Sequence, residues 1–242
     1  YKDNPIVVGY NLMVEPNANE IFGHGLNDPF DPDEYHKAFA GALQDWNQLH
    51  PRISKAIREQ DSNTPLLIAS ASYAYVDWLP FLAPGQEQYV VYDVHPYIPW
   101  QYVFQYPETP VPFPGQMDLD YDDEPDSLDM EWLAHSLSPV PEYARRYGPV
   151  AAMEYGAVRW SQDVESYLAG MMDIFEDLGM NYSIWAWYPK HFATDGDEFN
   201  FRRQGLPGEH REREDTRILQ VLRSYWAGNT LHPSRVTFVQ GR

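Results

Sequence analysis

Five short apolar runs, each followed by a segment of helical spacing, constrain the fold of this 242-residue chain more than any other feature. The runs are residues 6–14, 66–71, 88–95, 149–155 and 181–188. Each is nearly continuous in apolar side chains, as expected of a strand covered on both faces. Between them the spacing predicts helices over 32–59, 76–82, 127–146, 162–178 and 215–226. Breaks are expected at Pro51 in the first and at Pro139 and Pro141 in the third, because proline removes a helical N–H. Asp31-Pro32-Asp33-Glu34 is a helix start, and Gly179 suits a helix end. Residues 17–32, 96–125 and 189–213 read as loops, and residues 235–239 as one further strand. Strand–helix alternation of this kind predicts a parallel sheet of the α/β class.

Two of the runs deliver a carboxylate at their carboxyl end. Residues 149–157 run Pro-Val-Ala-Ala-Met-Glu-Tyr-Gly-Ala, ending a strand on Glu154. Residues 6–16 run Ile-Val-Val-Gly-Tyr-Asn-Leu-Met-Val-Glu-Pro, ending one on Glu15. A carboxylate is costly to bury, and α/β folds build their sites at the carboxyl ends of strands. Taken singly, a Glu at a strand end is more often a cap or an ion-pair partner. Together they form a pair able to divide labour across a glycosidic bond, one donating a proton and the other attacking or activating water. His95 and Tyr97, after the third run, can orient or steady such carboxylates. Trp185 and Trp187 lie two apart in the last run and so face the same way. One of them near the strand end offers a flat face for a sugar ring. Trp100, Tyr102 and Phe104 extend a groove or cover a rim.

Composition narrows the class. Lys and Arg number 17 against 36 Asp and Glu, a formal charge of −19 that repels nucleic acid and anionic membrane surfaces. A neutral sugar polymer meets no such penalty. With no cysteine, disulfides, thiolate metal sites and a Cys nucleophile are excluded. Aromatic residues make up 15% of the chain, which suits a stacking surface. Asp118-Leu119-Asp120-Tyr121-Asp122-Asp123-Glu124 resembles the start of a calcium loop. It lacks the sixth-position Gly and the closing Glu, so it reads as a solvated acidic loop. The histidines show no metal-ligand spacing. No phosphate loop, dinucleotide fingerprint or Gly-x-Ser-x-Gly elbow is present. No apolar run is long enough to span a bilayer, and the first residues do not read as a signal peptide.

These strand ends resemble glycoside hydrolase family 5, the cellulase-type family of the retaining (β/α)8-barrel clan. Its pattern of Asn-Glu-Pro, His-x-Tyr, Glu-(Phe/Tyr)-Gly and Trp is matched in order by Val14-Glu15-Pro16, His95-Pro96-Tyr97, Glu154-Tyr155-Gly156 and Trp185. The resemblance implies a (β/α)8 TIM barrel of which this chain supplies strands four to eight. The barrel portion would run over 1–230, with 231–242 as a C-terminal extension. It implies Glu15 as acid/base, Glu154 as nucleophile, His95 and Tyr97 at the reaction centre, and Trp185 stacked below the sugar; Trp100, from the long aromatic loop, is expected as a further substrate-binding residue. It implies action on β-1,4-linked glucan or a related plant polysaccharide by double displacement. It also implies no cofactor, no metal, and secretion from the cell.

Two departures shape the expectations. Val14 replaces the family's Asn, whose bond to the sugar 2-hydroxyl strengthens in the transition state. Its loss implies weak activity or a substrate that differs at that hydroxyl. Strands one to three have no counterpart here, so the expectation is a partial barrel, completed by further chain of the same enzyme or by another chain or copy. A carbohydrate-binding relative without catalysis is the alternative reading.

Overall fold

The computed structural model describes residues 1–4, 6–18, 32–187 and 197–229. They fall into two compact units. The first takes in Tyr1–Pro96 and Ser138–Ala152, and the second takes in Tyr97–Leu137 and the described part of Met153–Leu231. The strand expected over 235–239 and the extension 231–242 lie outside the described residues.

In the first unit, β1 (Tyr10–Asn11), β2 (Leu66–Ala69) and β3 (Val90–Val94) run parallel, and the start of β6 (Val150–Tyr155) joins them. The register pairs Tyr10 with Leu66, Leu66 with Val90, and Tyr92 with Val150. Leu66, Ile68, Val94 and Leu79 are fully buried, which accounts for the apolar runs. In the second unit the end of β6 carries β7 (Asn181–Ile184), where the Trp185 N–H donates to Tyr155 O at 2.8 Å. The strand order is β1-β2-β3-β6-β7. That is the order expected of the last five units of a (β/α)8 barrel, with β1 at an edge among the described residues.

Helices follow the strands, with differences from the sequence expectation. The helix expected over 32–59 is two, α1 (Pro32–Phe39) and α2 (Trp46–Arg58). The break falls at residues 40–45 and not at Pro51, which sits inside α2. Gly41 takes φ +84°, a left-handed conformation that ends α1 at little steric cost. Asp45 then caps α2, one carboxylate oxygen accepting from the Asn47 N–H and the other from the Gly41 N–H. The Trp46 indole donates to Ala69 O and pins α2 to the end of β2.

After β2, the single turn α3 (Ala71–Ala74) holds Ser72, Tyr73 and Ala74 at φ 54°, 61° and 58°. Three consecutive left-handed residues with side chains cost about 1–2 kcal/mol each. A 3-10 helix over Val76–Phe81 follows and packs on α6 (Pro139–Tyr147), with the Tyr143 hydroxyl donating to Leu82 O.

In the second unit the segment expected to be a loop contains α4 (Trp100–Val103) and β4 (Gly115–Met117). β4 pairs antiparallel with β5 (Asp126–Leu128), which was expected to be helical, and the acidic stretch is the turn between them. α5 (Met130–Ser136) comes next. α7 (Val164–Asp177) packs against it and against α8 (Arg217–Gly228), burying Tyr167, Leu168, Met171 and Phe175.

Candidate active site

Glu15 stands just past β1 with φ 49°, a left-handed conformation for a residue with a side chain. Strain of this kind persists only where the surroundings enforce it, and it clusters at working sites. The strand behind it is anchored. The Tyr10 and Leu12 N–H groups donate to Pro65 O and Leu67 O at 2.8 and 3.1 Å, and the Tyr10 hydroxyl donates to Asp61. Asp61 is held far below the usual carboxylate range, chiefly by the Thr64 N–H, with the Thr64 hydroxyl and Asn63 N–H adding to it. A fixed carboxylate here anchors the start of β1.

His95 is buried at the end of β3, and its Nδ1 lies 2.8 Å from Glu15 Oε1. Of the two carboxylates the sequence singled out, it is Glu15 that lies against His95. The ring's other nitrogen, Nε2, lies 3.3 Å from Oδ2 of Asp93, which is itself fully buried. The sequence reading passed over Asp93. The signal was available: Asp93 sits two positions before His95 on one strand, hence on the same face.

In the second unit Glu154 precedes the last residue of β6, and the Tyr97 hydroxyl donates to its Oε2 at 3.1 Å. Tyr155 points the other way, fully buried against Phe175 and Tyr182, and burial pushes its hydroxyl well above the ordinary range. The alternation of strand side chains thus turns Glu154 out of the core that holds Tyr155.

An aromatic group surrounds Tyr97. Its ring meets Phe104 and Phe199 at 5.9 Å each, and Phe104 in turn lies 3.7 Å beneath the ring of Trp100. Trp100 remains 36% exposed and Trp185 38% exposed, so both keep faces open to a ligand. The Trp185–Ala186 peptide bond is cis. Trp187, the other tryptophan of that run, is 54% exposed; the Arg202 guanidinium lies 4.5 Å over its ring and Phe201 meets it edge-on. Phe104 and Phe199 complete the aromatic surface, and Phe199 had no sequence signal because it arrives from a charged loop.

The expected site residues therefore divide by unit: Glu15 with His95 in the first, Glu154, Tyr97, Trp100 and Trp185 in the second. In the acidic turn the carboxylates of Asp118, Asp120 and Asp126 gather within 4.8 Å of one another. Asp118 accepts from the N–H groups of Tyr121, Asp122 and Asp123, and Asp126 accepts from Leu119, so these acids organise their own turn. No described helix is long and apolar enough to cross a membrane.

The model of the cellulase family, glycosyl hydrolase family 5, matches residues 1–191. No curated protein matches the chain. Among solved structures, Cel5A of Thermotoga maritima with mannotriose is 17% identical, aligning 92% of this chain with 61% of that one at a TM-score of 0.62. A mutant form of the same protein with cellobiose gives 16% identity, the same coverage and a TM-score of 0.63. The cellulose synthase subunit Z of Clostridioides difficile is 13% identical, with 88% and 60% of the two chains aligned at a TM-score of 0.58. At these identities the likeness is one of fold. The chain spans about 60% of the length of these structures.

Proposed function

This chain belongs to the cellulase family, glycosyl hydrolase family 5, and from that premise we propose that it cleaves β-1,4-linked glucan or a related β-glycan with retention at the anomeric carbon. The Glu154 carboxylate attacks the anomeric carbon as the glycosidic C–O bond breaks, and Glu15 gives its proton to the departing oxygen. Glu15 then takes a proton from water, whose oxygen displaces Glu154 and frees the sugar. The observation that carries this reading is the Tyr97–Glu154 hydrogen bond at 3.1 Å, which steadies the attacking carboxylate through one oxygen. The His95–Glu15 pair supports the second role. Trp100 and Trp185 supply exposed flat faces for pyranose rings. No cofactor enters the chemistry. A polymeric substrate is met outside the cell, which favours a secreted enzyme.

The test is a pair of isosteric variants. Glu154→Gln and Glu15→Gln are each expected to lower release of reducing sugar from soluble glucan at least about 1,000-fold, the scale of losing a member of a catalytic pair. Incubation with a 2-deoxy-2-fluoro glycoside is expected to leave the sugar on the peptide carrying Glu154. Turnover near wild type in either variant rejects the assignment.

Val14, 59% exposed beside Glu15, favours a second reading. An apolar side chain there cannot bond a sugar hydroxyl, so a binding protein without turnover fits it. Oligosaccharide binding by calorimetry with no sugar release from the wild-type chain would establish that reading.

We infer in addition that a further β/α segment, of the same protein or of another chain or copy, covers the edge of β1. Ile6 and Val8, each 83% exposed, flank that edge.

A further inference from the structure

We propose that Asp93 is a positioning residue for Glu15, acting through His95 by fixing which ring nitrogen carries a proton. The proposal rests on the acid/base role given to Glu15 above. Asp93 and His95 share one face of β3, and neither is exposed beyond 2%. The imidazole lies between two carboxylates, Asp93 Oδ2 at 3.3 Å from Nε2 and Glu15 Oε1 at 2.8 Å from Nδ1. A bare Nε2 would set its lone pair against the Asp93 carboxylate at that distance. An Nε2–H pointed at Asp93 Oδ2 removes that conflict, so this is the tautomer assigned to the ring.

The consequence falls on the other nitrogen. With Nε2 protonated, Nδ1 either donates to Glu15, when the ring is the imidazolium, or accepts from Glu15, when that carboxyl holds the proton. In both states a hydrogen bond ties Oε1 to the ring, which leaves Oε2 as the oxygen for substrate. The opposite neutral tautomer would put an N–H on Glu15 in one state only and repel Asp93 throughout. Asp93 thus fixes the orientation of the acid/base group without touching substrate.

The backbone is built to hold this arrangement. The Ser70 N–H donates to Asp93 O at 3.0 Å, and the His95 N–H donates to Ala74 O at 2.8 Å. Ala74 closes the left-handed run Ser72-Tyr73-Ala74, so the strained turn after β2 is what brings that carbonyl to His95. Ser70 and the left-handed turn thus hold the backbone of both residues, which fixes the points from which their side chains start.

The test reads the ring directly. In the wild-type protein with 15N-labelled histidine, two-bond 1H–15N spectra are expected to show His95 with Nε2 protonated. The His95 signals are assigned by their loss in His95→Gln. Asp93→Asn keeps the shape and removes the charge. It is expected to give a mixture of tautomers, with kcat lower by about 10- to 100-fold, KM within about twofold and an unchanged melting temperature, the pattern of losing an outer group that orients a histidine. A bare Nε2 in the wild-type protein overturns the proposal and requires no variant to fold. So does an unchanged ring spectrum in Asp93→Asn, or a parallel loss of stability, KM and kcat. Failure of the acid/base reading is separate: Glu15→Gln would then stay active whatever the His95 spectrum shows.

Discussion

Gly156 decides how the chain leaves Glu154. A Cβ at this position would lie 2.5 Å from the backbone carbonyl of Trp185 and 3.3 Å from the Phe199 ring. The first of these is backbone in the neighbouring strand and cannot step aside cheaply. Gly156→Ala is therefore expected to lower stability by about 1–3 kcal/mol, the usual cost of overpacking, and to displace both Glu154 and Trp185. Denaturant unfolding measures the first effect and hydrolysis rate the second; an unchanged midpoint would mean the strands can part without cost. At this scale much of the site was legible. Glu15, Glu154, His95 and Tyr97 could be read because each stands at or just past the end of an apolar run, where α/β folds place their site groups. Asp93 was not legible by that rule, since it lies inside its run, where a charged residue reads as an irregularity of the pattern. Its neighbour on the same face, His95, is what gives it meaning.

The elements were legible in order and less so in extent. β2, β3 and β6 are covered on both sides, so their apolar runs and their strands nearly coincide. β1 has two residues where nine were expected, because an edge strand pairs on one side only and its flanks, Ile6 and Val8, stay exposed. The β4–β5 hairpin was missed because its strands are three residues each, too short for a period to register. Helix α2 carries a consequence for stability. Its His50 is fully buried and meets the Trp46 ring at 5.6 Å in a tilted pair. Burial pushes the ring down to about 4, against a backbone contact with Ala83 and the charge of Asp45, which pull the other way. The folded ring thus binds its proton less readily than the unfolded one, whose value lies near 6.5. Between those values the unfolded chain holds more protons, so stability falls as pH drops from about 6.5 to 4 and His50 contributes no further change below. The whole excursion is worth up to roughly 3 kcal/mol. His50→Leu is expected to flatten that part of the pH profile by the same amount in urea unfolding at matched pH values. Parallel profiles for the two proteins would mean that the ring reaches solvent.

For the molecule as a whole, the sheet edge and the net charge pull in opposite directions. Beside β1, helix α2 leaves a groove of about 750 Å³ lined by Leu49, Ile53, Ala56, Ile57 and Tyr10. An edge strand with exposed apolar neighbours invites another strand and helix to cover it. A second copy could do so, but each copy carries −19, and the two would repel at low ionic strength. A preceding segment of one polypeptide meets no such barrier of association. The 242-residue chain by itself is therefore expected to bind the dye ANS, and to self-associate in sedimentation velocity as salt is raised from about 10 mM to 0.5 M, where the Debye length falls from about 30 Å to a few ångströms. A longer form carrying three more β/α units is expected to stay monomeric over the same range and to lose the dye signal. If the 242-residue chain is monomeric at every salt, binds no dye and hydrolyses glucan at full rate, the edge of β1 needs no cover, and the inference that further β/α structure completes it is wrong.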